Sequence, residues 1–535
     1  MQNFINREFL REAAIVFKID MNARWTTSSL IVLVGFTLLL ALCSLGLTHT
    51  TVYASVQPAY QAPIAADFSN LSWVKAFDKL HEKFSREYAF TVWKNIGWTD
   101  LYNKYQPKIA KAQSSKNFEA YYLALRAYVN AIPDGHVRMS NIQDINDKYI
   151  GGGFGFSVMK LTDGKIIASW VDEEGPAFAR GLRAGAELVE WNNQPVAVAL
   201  IGKSTIFASN SATSVDLENQ KARYLTRAHL DAKLVLSFIN IGCSEPIVAE
   251  IYAYDDKKKS LSKNYPNTVV SDGLRDLILG VANPDVPPTS MIETRIIDGN
   301  IGYMKIWCEL DVDLQQTGTA VSTLNLFRTG LREFNNQKVI GLILDVRNNL
   351  GGADVMVADM LAAFYKEKTF YEYQNCFNAV TGVMEIQPDP DRKPFEADYG
   401  LYIEPAAPFF AGPVVAIINS KCISSGEGIA LGIKNLPNGG TIGFYGTNGS
   451  FGMTGGEAKM PGDIEVHWPT GQSLDKNRKV QIDSRDGSGG VTPSIRIPLT
   501  RANALKVASG LDVELEQAIQ VIKTRVVGSV LEAVR

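Results

Sequence analysis

The stretch Pro413–Ala430, PVVAIINSKCISSGEGIA, decides the reading of this chain. Val414–Ile418 is an unbroken apolar run, the pattern of a strand buried on both faces. The strand ends at Asn419, a short polar loop carries Ser424 and Ser425, and an apolar helix begins near Glu427. A serine at such a bend stands at a helix N-terminus, where free N–H groups and the helix dipole favour negative charge. Attack on an amide puts that charge on the carbonyl oxygen, and oriented N–H donors are the usual device for holding it. Helix capping by Ser424 or Ser425 fits the same residues, so both readings stay open on this segment alone.

Working outward, the alternation continues. Ile301–Ile306 and Val339–Val346 are strand-like. Val321, Leu324, Phe327, Leu331 and Phe334 line one helix face, and Ala353–Tyr365 forms another helix. Thr441–Tyr445 is a further strand and Val513–Val526 a last helix. This is an α/β core over 295–500, with a C-terminal helix in 501–535. Inside it, Leu344–Gly352 runs from a buried strand into Gly351 and Gly352. Paired glycines let backbone N–H groups approach a ligand closely, and a plain tight turn explains them equally.

Before the core the pattern changes twice. Trp73, Phe77, Leu80 and Phe84, then Phe118, Tyr122, Leu125, Val129 and Ile132, recur at helical spacing and define a helical domain over 65–145. Thr99 is placed to cap a helix between them. Gly151–Phe156 opens a β-rich domain over 150–255, with strands at Ile166–Trp170, Glu187–Trp191, Leu234–Ile239 and Ile247–Tyr252. Residues 256–294 are polar and irregular, as in a linker.

Serine needs a base to take its proton. Of the five histidines, His49 lies near the N-terminal apolar run, His81 sits in a helical pattern beside charged residues and reads as surface, His229 follows Thr226-Arg227-Ala228 in another polar helical stretch, and His467 is strand-like. His136, in Pro133-Asp134-Gly135-His136, stands on a turn between domains, where functional side chains collect.

Composition narrows the classes. The chain has 535 residues, 46% hydrophobic and 20% charged, with a net charge of −3. That is ordinary globular composition with no basic excess for nucleic-acid binding. Its five cysteines show no zinc spacing, and neither a metal-binding H-E-x-x-H nor a phosphate-binding loop occurs, so no metal or cofactor is expected. Leu30–Leu47 is apolar and uncharged, Arg24 precedes it and small residues follow to Ala54. Residues 1–54 therefore read as a signal peptide cut after Ala54 or as a membrane anchor through 30–47. Either places the rest outside the cytoplasm, periplasmic, extracellular or membrane-anchored.

Taken in order, these segments resemble the S41 family of tail-specific (C-terminal processing) peptidases, from about Phe68 to Thr500. The family's elements are matched by Trp93–Trp98 with Asp134-Gly135-His136, by Gly153–Phe156 with Gly175–Leu188, by Leu344–Gly352, by Ile423–Glu427 and by Gly490-Val491-Thr492-Pro493. The resemblance implies a multi-domain α+β protein. It would comprise an N-terminal helical domain, a PDZ-like peptide-binding domain and an α/β (ClpP/crotonase-like) serine peptidase core. It implies Ser424 as nucleophile, with Ser425 and Gly351 or Gly352 as oxyanion donors. Gly153, Phe154, Gly155 and Phe156 would be the peptide-binding loop, and unfolded or C-terminal protein segments the substrate. Many members use a lysine in a stretch that here, Gly446–Met453, has none. Asp-Gly-His136 instead fits the tricorn-like branch with a histidine base. The third member falls to Asp486, with Asp483 in reserve. The alternatives are a Ser–Lys dyad through Lys434 or Lys459, and an inactive peptide-binding scaffold.

Overall fold

The computed structural model describes residues 60–280, 287–387 and 399–534. The apolar run 30–47 and the expected cut after Ala54 lie outside them. Among the described residues no helix is long and apolar enough to cross a membrane.

The serine segment belongs to a six-stranded sheet. Its order is Ile292–Ile297, Ile301–Ile306, Leu342–Asp345, Val414–Ile417, Thr441–Gly443 and Ile495–Arg496. All neighbours are parallel except the first pair. Period-two alternation explains why its central strands are continuously apolar. Met304, Leu342, Leu344, Val414 and Ala416 face a core shared with the helices Thr323–Asn336, Asp354–Leu361 and Ser425–Lys434. Tyr303, Ile343, Val415 and Ile417 face a second core under Arg501–Ala508 and Val513–Val534. The C-terminal segment expected as one helix is thus two, separated at Gly510, whose φ of +91° suits only glycine without strain.

A seven-stranded sheet, of which the sequence showed only the strand-like run at His467, brings the front of the chain to this core. Its centre is the antiparallel pair Gly452–Met460 and Ile464–Leu474. Gly456 lies under the Trp468 indole, where a Cβ would stand 2.0 Å from Nε1. Glycines and Pro469 interrupt the alternation that marks strands, so the pattern is hidden. Helices Trp73–Glu87, Trp98–Ser114 and Phe118–Asn130 pack on this hairpin through Ala458, Met460, Ile464, Val466 and Trp468, with Phe84 stacked on Trp468 at 4.8 Å. The segment after His136 then joins the same sheet, Arg138 opposite His467 and Met139 opposite Val466.

Several sequence expectations change. The helix expected to be capped by Thr99 starts at Trp98 with Gly97 at its cap. Residues 256–294 contain the helices Lys259–Ser262 and Val269–Ile278. His81 is half-buried among Phe77, Trp98 and Tyr102, and its Nδ1 lies 3.0 Å from the Tyr128 hydroxyl. Trp98, Tyr102 and Tyr128 come from the next two helices, which helical spacing cannot reveal. His229 sits after the short strand Arg227–Ala228. The four described cysteines are unpaired.

Candidate active site

Ser424 stands at the cap of the helix Ser425–Lys434 with φ +58° and ψ −136°. A non-glycine residue rarely holds such a conformation, and it costs about 1–3 kcal/mol. It persists because the surroundings over-determine it. The Ser424 N–H is shared between the Ser450 carbonyl at 3.0 Å and Glu427 Oε2 at 3.2 Å. The buried Glu427 carboxylate also accepts from the Thr447 hydroxyl and from the amides of Gly449 and Ser450. Burial pushes its pKa up to about 8 against these hydrogen bonds. Glu427 thereby ties the helix start to the loop 447–451, a role not read in the sequence.

Gly351 lies directly against the serine. A Cβ there would stand 2.4 Å from Ser424 Cβ and 3.0 Å from Oγ, at a φ of +79°. Its N–H donates to Asn349 Oδ1 at 2.8 Å and its carbonyl accepts from Glu309 N at 3.1 Å. Gly351 is therefore the close-approach residue, and its amide is committed. Among the described residues no acceptor takes the amide hydrogens of Gly352 or Ser425, while the Ser425 hydroxyl donates to the Gly352 carbonyl at 3.0 Å. Asn349 also donates to Glu309, and Asn348 and Asn419 exchange hydrogen bonds that lock this loop to the serine loop. Burial pushes Glu309 up to about 8.

The His136 turn arrives beside them. Gly135 N donates to Ser450 Oγ at 2.8 Å, and a Cβ at Gly135 would stand 2.8 Å from Ile423 Cδ1. His136 is buried, and its N–H donates to Asp134 Oδ1 at 2.9 Å. The ring Nδ1, buried and without a hydrogen bond, faces the same oxygen at 3.7 Å. Burial pushes the Asp134 carboxyl up, but the Lys94 ammonium and the His136 hydrogen bonds outweigh it and hold Asp134 below the usual carboxylate range.

Asp486 does not join this group. Its side chain is 82% exposed beside Arg485, carried outward by a tight turn in which Gly487, Gly489 and Gly490 all have positive φ. The acid against the imidazole is Asp134, two residues before it. Asp483 is buried, accepts from Phe451 N at 2.9 Å and pairs with Lys94 at 2.8 Å. Lys434 is in the last turn of the serine helix and bonds Thr492. Lys459 pairs with Asp463 on the hairpin. Neither approaches through a contact with Ser424.

The loop Gly153–Phe156 is more constrained than expected. The Gly153 amide bonds the Tyr254 carbonyl at 2.9 Å, and the buried pair Arg227–Asp256 underlies it. Phe154 and Phe156 are buried against Trp191. The strand Phe156–Lys160 ends its sheet. Along it, Ser157 Oγ donates to the Ser260 carbonyl and Val158 O accepts from Asn264. This edge is already engaged by the chain's own following segment.

Residues 300–497 match the model of Peptidase family S41. The crystal structure of mature CPAF is similar, with 14% identity and a TM-score of 0.59 over 86% of this chain and 98% of that one. Mature CPAF complexed with lactacystin aligns with a TM-score of 0.57 at 14% identity, over 85% of this chain and 98% of that one. Both likenesses concern the fold. No curated protein matches in sequence. A strand-to-helix serine in a parallel core, a paired-glycine loop against it and this match agree: residues 300–497 carry a domain of peptidase family S41, a family of serine-type peptidases.

Proposed function

We propose that the chain is an exported endopeptidase that cuts unfolded or C-terminal protein segments through an acyl-enzyme, with Ser424 as nucleophile and His136 as base. The observation that carries this is the packing of the Gly135–His136 turn on Ile423 and Ser450, which flank a serine held at φ +58°. His136 takes the Ser424 hydroxyl proton as Oγ bonds to the scissile carbonyl carbon. The Gly352 and Ser425 amides receive the oxyanion, and the imidazolium returns the proton to the leaving amine. Water then attacks the ester with His136 again as base. Asp134 holds the imidazole by its Nδ1 side, as the orienting acid of such groups does. The six-stranded antiparallel sheet from Phe156 to Tyr252 supports a PDZ-like module that presents extended peptide. The apolar run 30–47 supports export.

The test is hydrolysis of fluorescein-labelled casein. Ser424→Ala and His136→Ala should each lower kcat by at least about 10³-fold. Wild type no faster than Ser424→Ala would establish the scaffold reading, and full turnover by His136→Ala would remove the histidine as base.

A further inference from the structure

Lys94, in the turn between the first two helices, is buried to 2% side-chain exposure. An ammonium there is costly without partners. It donates to the Pro133 carbonyl at 2.9 Å, pairs with Asp483 Oδ1 at 2.8 Å and faces Asp134 Oδ2 at 3.6 Å. One cation thus serves two carboxylates, and the Asp134 carboxylate is the one that meets the His136 ring. We propose that Lys94 is a positioning residue of the hydrolytic centre, whose ammonium ties down Asp483 and balances the pair so that Asp134 remains the carboxylate orienting His136. The proposal rests on His136 being the base.

The ion pair is shorter to Asp483, yet Asp134 is held below the usual carboxylate range and Asp483 above it, because the donors are unequal. Asp134 receives the Tyr88 hydroxyl at 2.8 Å and the His136 amide at 2.9 Å, and faces the imidazole. Among the described residues Asp483 receives only the Phe451 amide besides Lys94. The titratable groups facing the ammonium and the two acids are Tyr88, Asp134, His136 and Asp483. Burial, reinforced by Asp134, leaves Asp483 raised to about 6 even with Lys94 beside it. Two carboxylates this close cannot both stay ionised once the cation is gone. A shared proton would then weaken the acceptor behind His136. Removing Asp483 as well would leave Asp134 alone and restore it.

The experiment compares Lys94→Met, Asp483→Asn, Asp134→Asn and the double variant Lys94→Met/Asp483→Asn across pH, with labelled casein as substrate and thermal unfolding as a fold control. Lys94→Met should lower kcat with little change in KM and move the acid limb of kcat/KM upward by about 1–3 pH units. The double variant should bring the limb back and exceed Lys94→Met in kcat by about tenfold. Asp134→Asn should lose about 10²–10⁴-fold, more than Asp483→Asn. An unmoved limb in Lys94→Met, a double variant no better than the single one, or Asp483→Asn losing more than Asp134→Asn overturns the proposal. Should Lys94→Met fail to fold, the ranking of the two Asn variants decides. The underlying reading fails differently, by full turnover in His136→Ala, and that result takes this inference with it.

Discussion

Ser424 and Gly351 show how little room the serine at the strand-to-helix bend is given. Between Gly351 and Ser450 the serine is held at positive φ, a strained conformation that helix capping alone does not explain. Gly351→Ala would force a methyl to within 2.4 Å of Ser424 Cβ. It should cut kcat by about 10²-fold, the scale for a displacement of about 1 Å at a reacting group, and a casein assay on folded protein checks it. Above about pH 8, where the Glu427 carboxyl is ionised, Glu427→Gln turns an NH2 toward part of a site built of donors. It should cost about 1–3 kcal/mol in urea unfolding, the desolvation penalty of hydrogen bonds left unmade.

At the scale of elements, the helix Ser214–Leu225 of the β-rich region is wired to the serine loop. Lys421, three residues before Ser424, pairs with Asp216 at 3.0 Å, with side chains 14% and 0% exposed. Ser214 N bonds the Gly487 carbonyl at 2.8 Å, and a Cβ at Gly449 would meet Thr213 Cγ2 at 2.8 Å. Lys421→Met would strand the Asp216 carboxylate in the interior. It should destabilise by about 3–5 kcal/mol, whereas Lys421→Met/Asp216→Leu should recover most of the loss. Denaturant midpoints of the three proteins measure this.

For the whole molecule, buried carboxyls of opposite behaviour set the pH profile. Glu309 and Glu427 are both raised, to about 8, by burial first. The folded chain therefore holds their protons where the unfolded chain has released them, and stability falls as pH rises from about 4.5 through 8. Asp134 and Asp345 are the reverse. Burial raises them, but Lys94 for Asp134 and Arg347 with Lys305 for Asp345 outweigh it, so their contribution is lost only as pH falls below the ordinary carboxylate range. The urea midpoint should peak near about pH 5 and decline toward about pH 9. Glu309→Gln should flatten the decline, because Asn349 can still donate to the amide oxygen. A midpoint that rises from pH 5 to 9 would contradict this assignment.

Residue patterning alone carried the parallel core, the serine at its bend, the glycines opposite and the helices before them, because strand alternation and helical spacing are local and repeat within a few residues. The hairpin Gly452–Leu474 was hidden by its glycines and Pro469, and with it the reason a turn near residue 136 reaches a loop near 424. Nor could spacing separate Asp134 from Asp486. Which carboxylate meets the imidazole depends on a turn that expels one and a buried lysine that holds the other. Local periodicity determines elements, whereas electrostatic partnership depends on distances between segments far apart in the chain, and only the tertiary structure decides those.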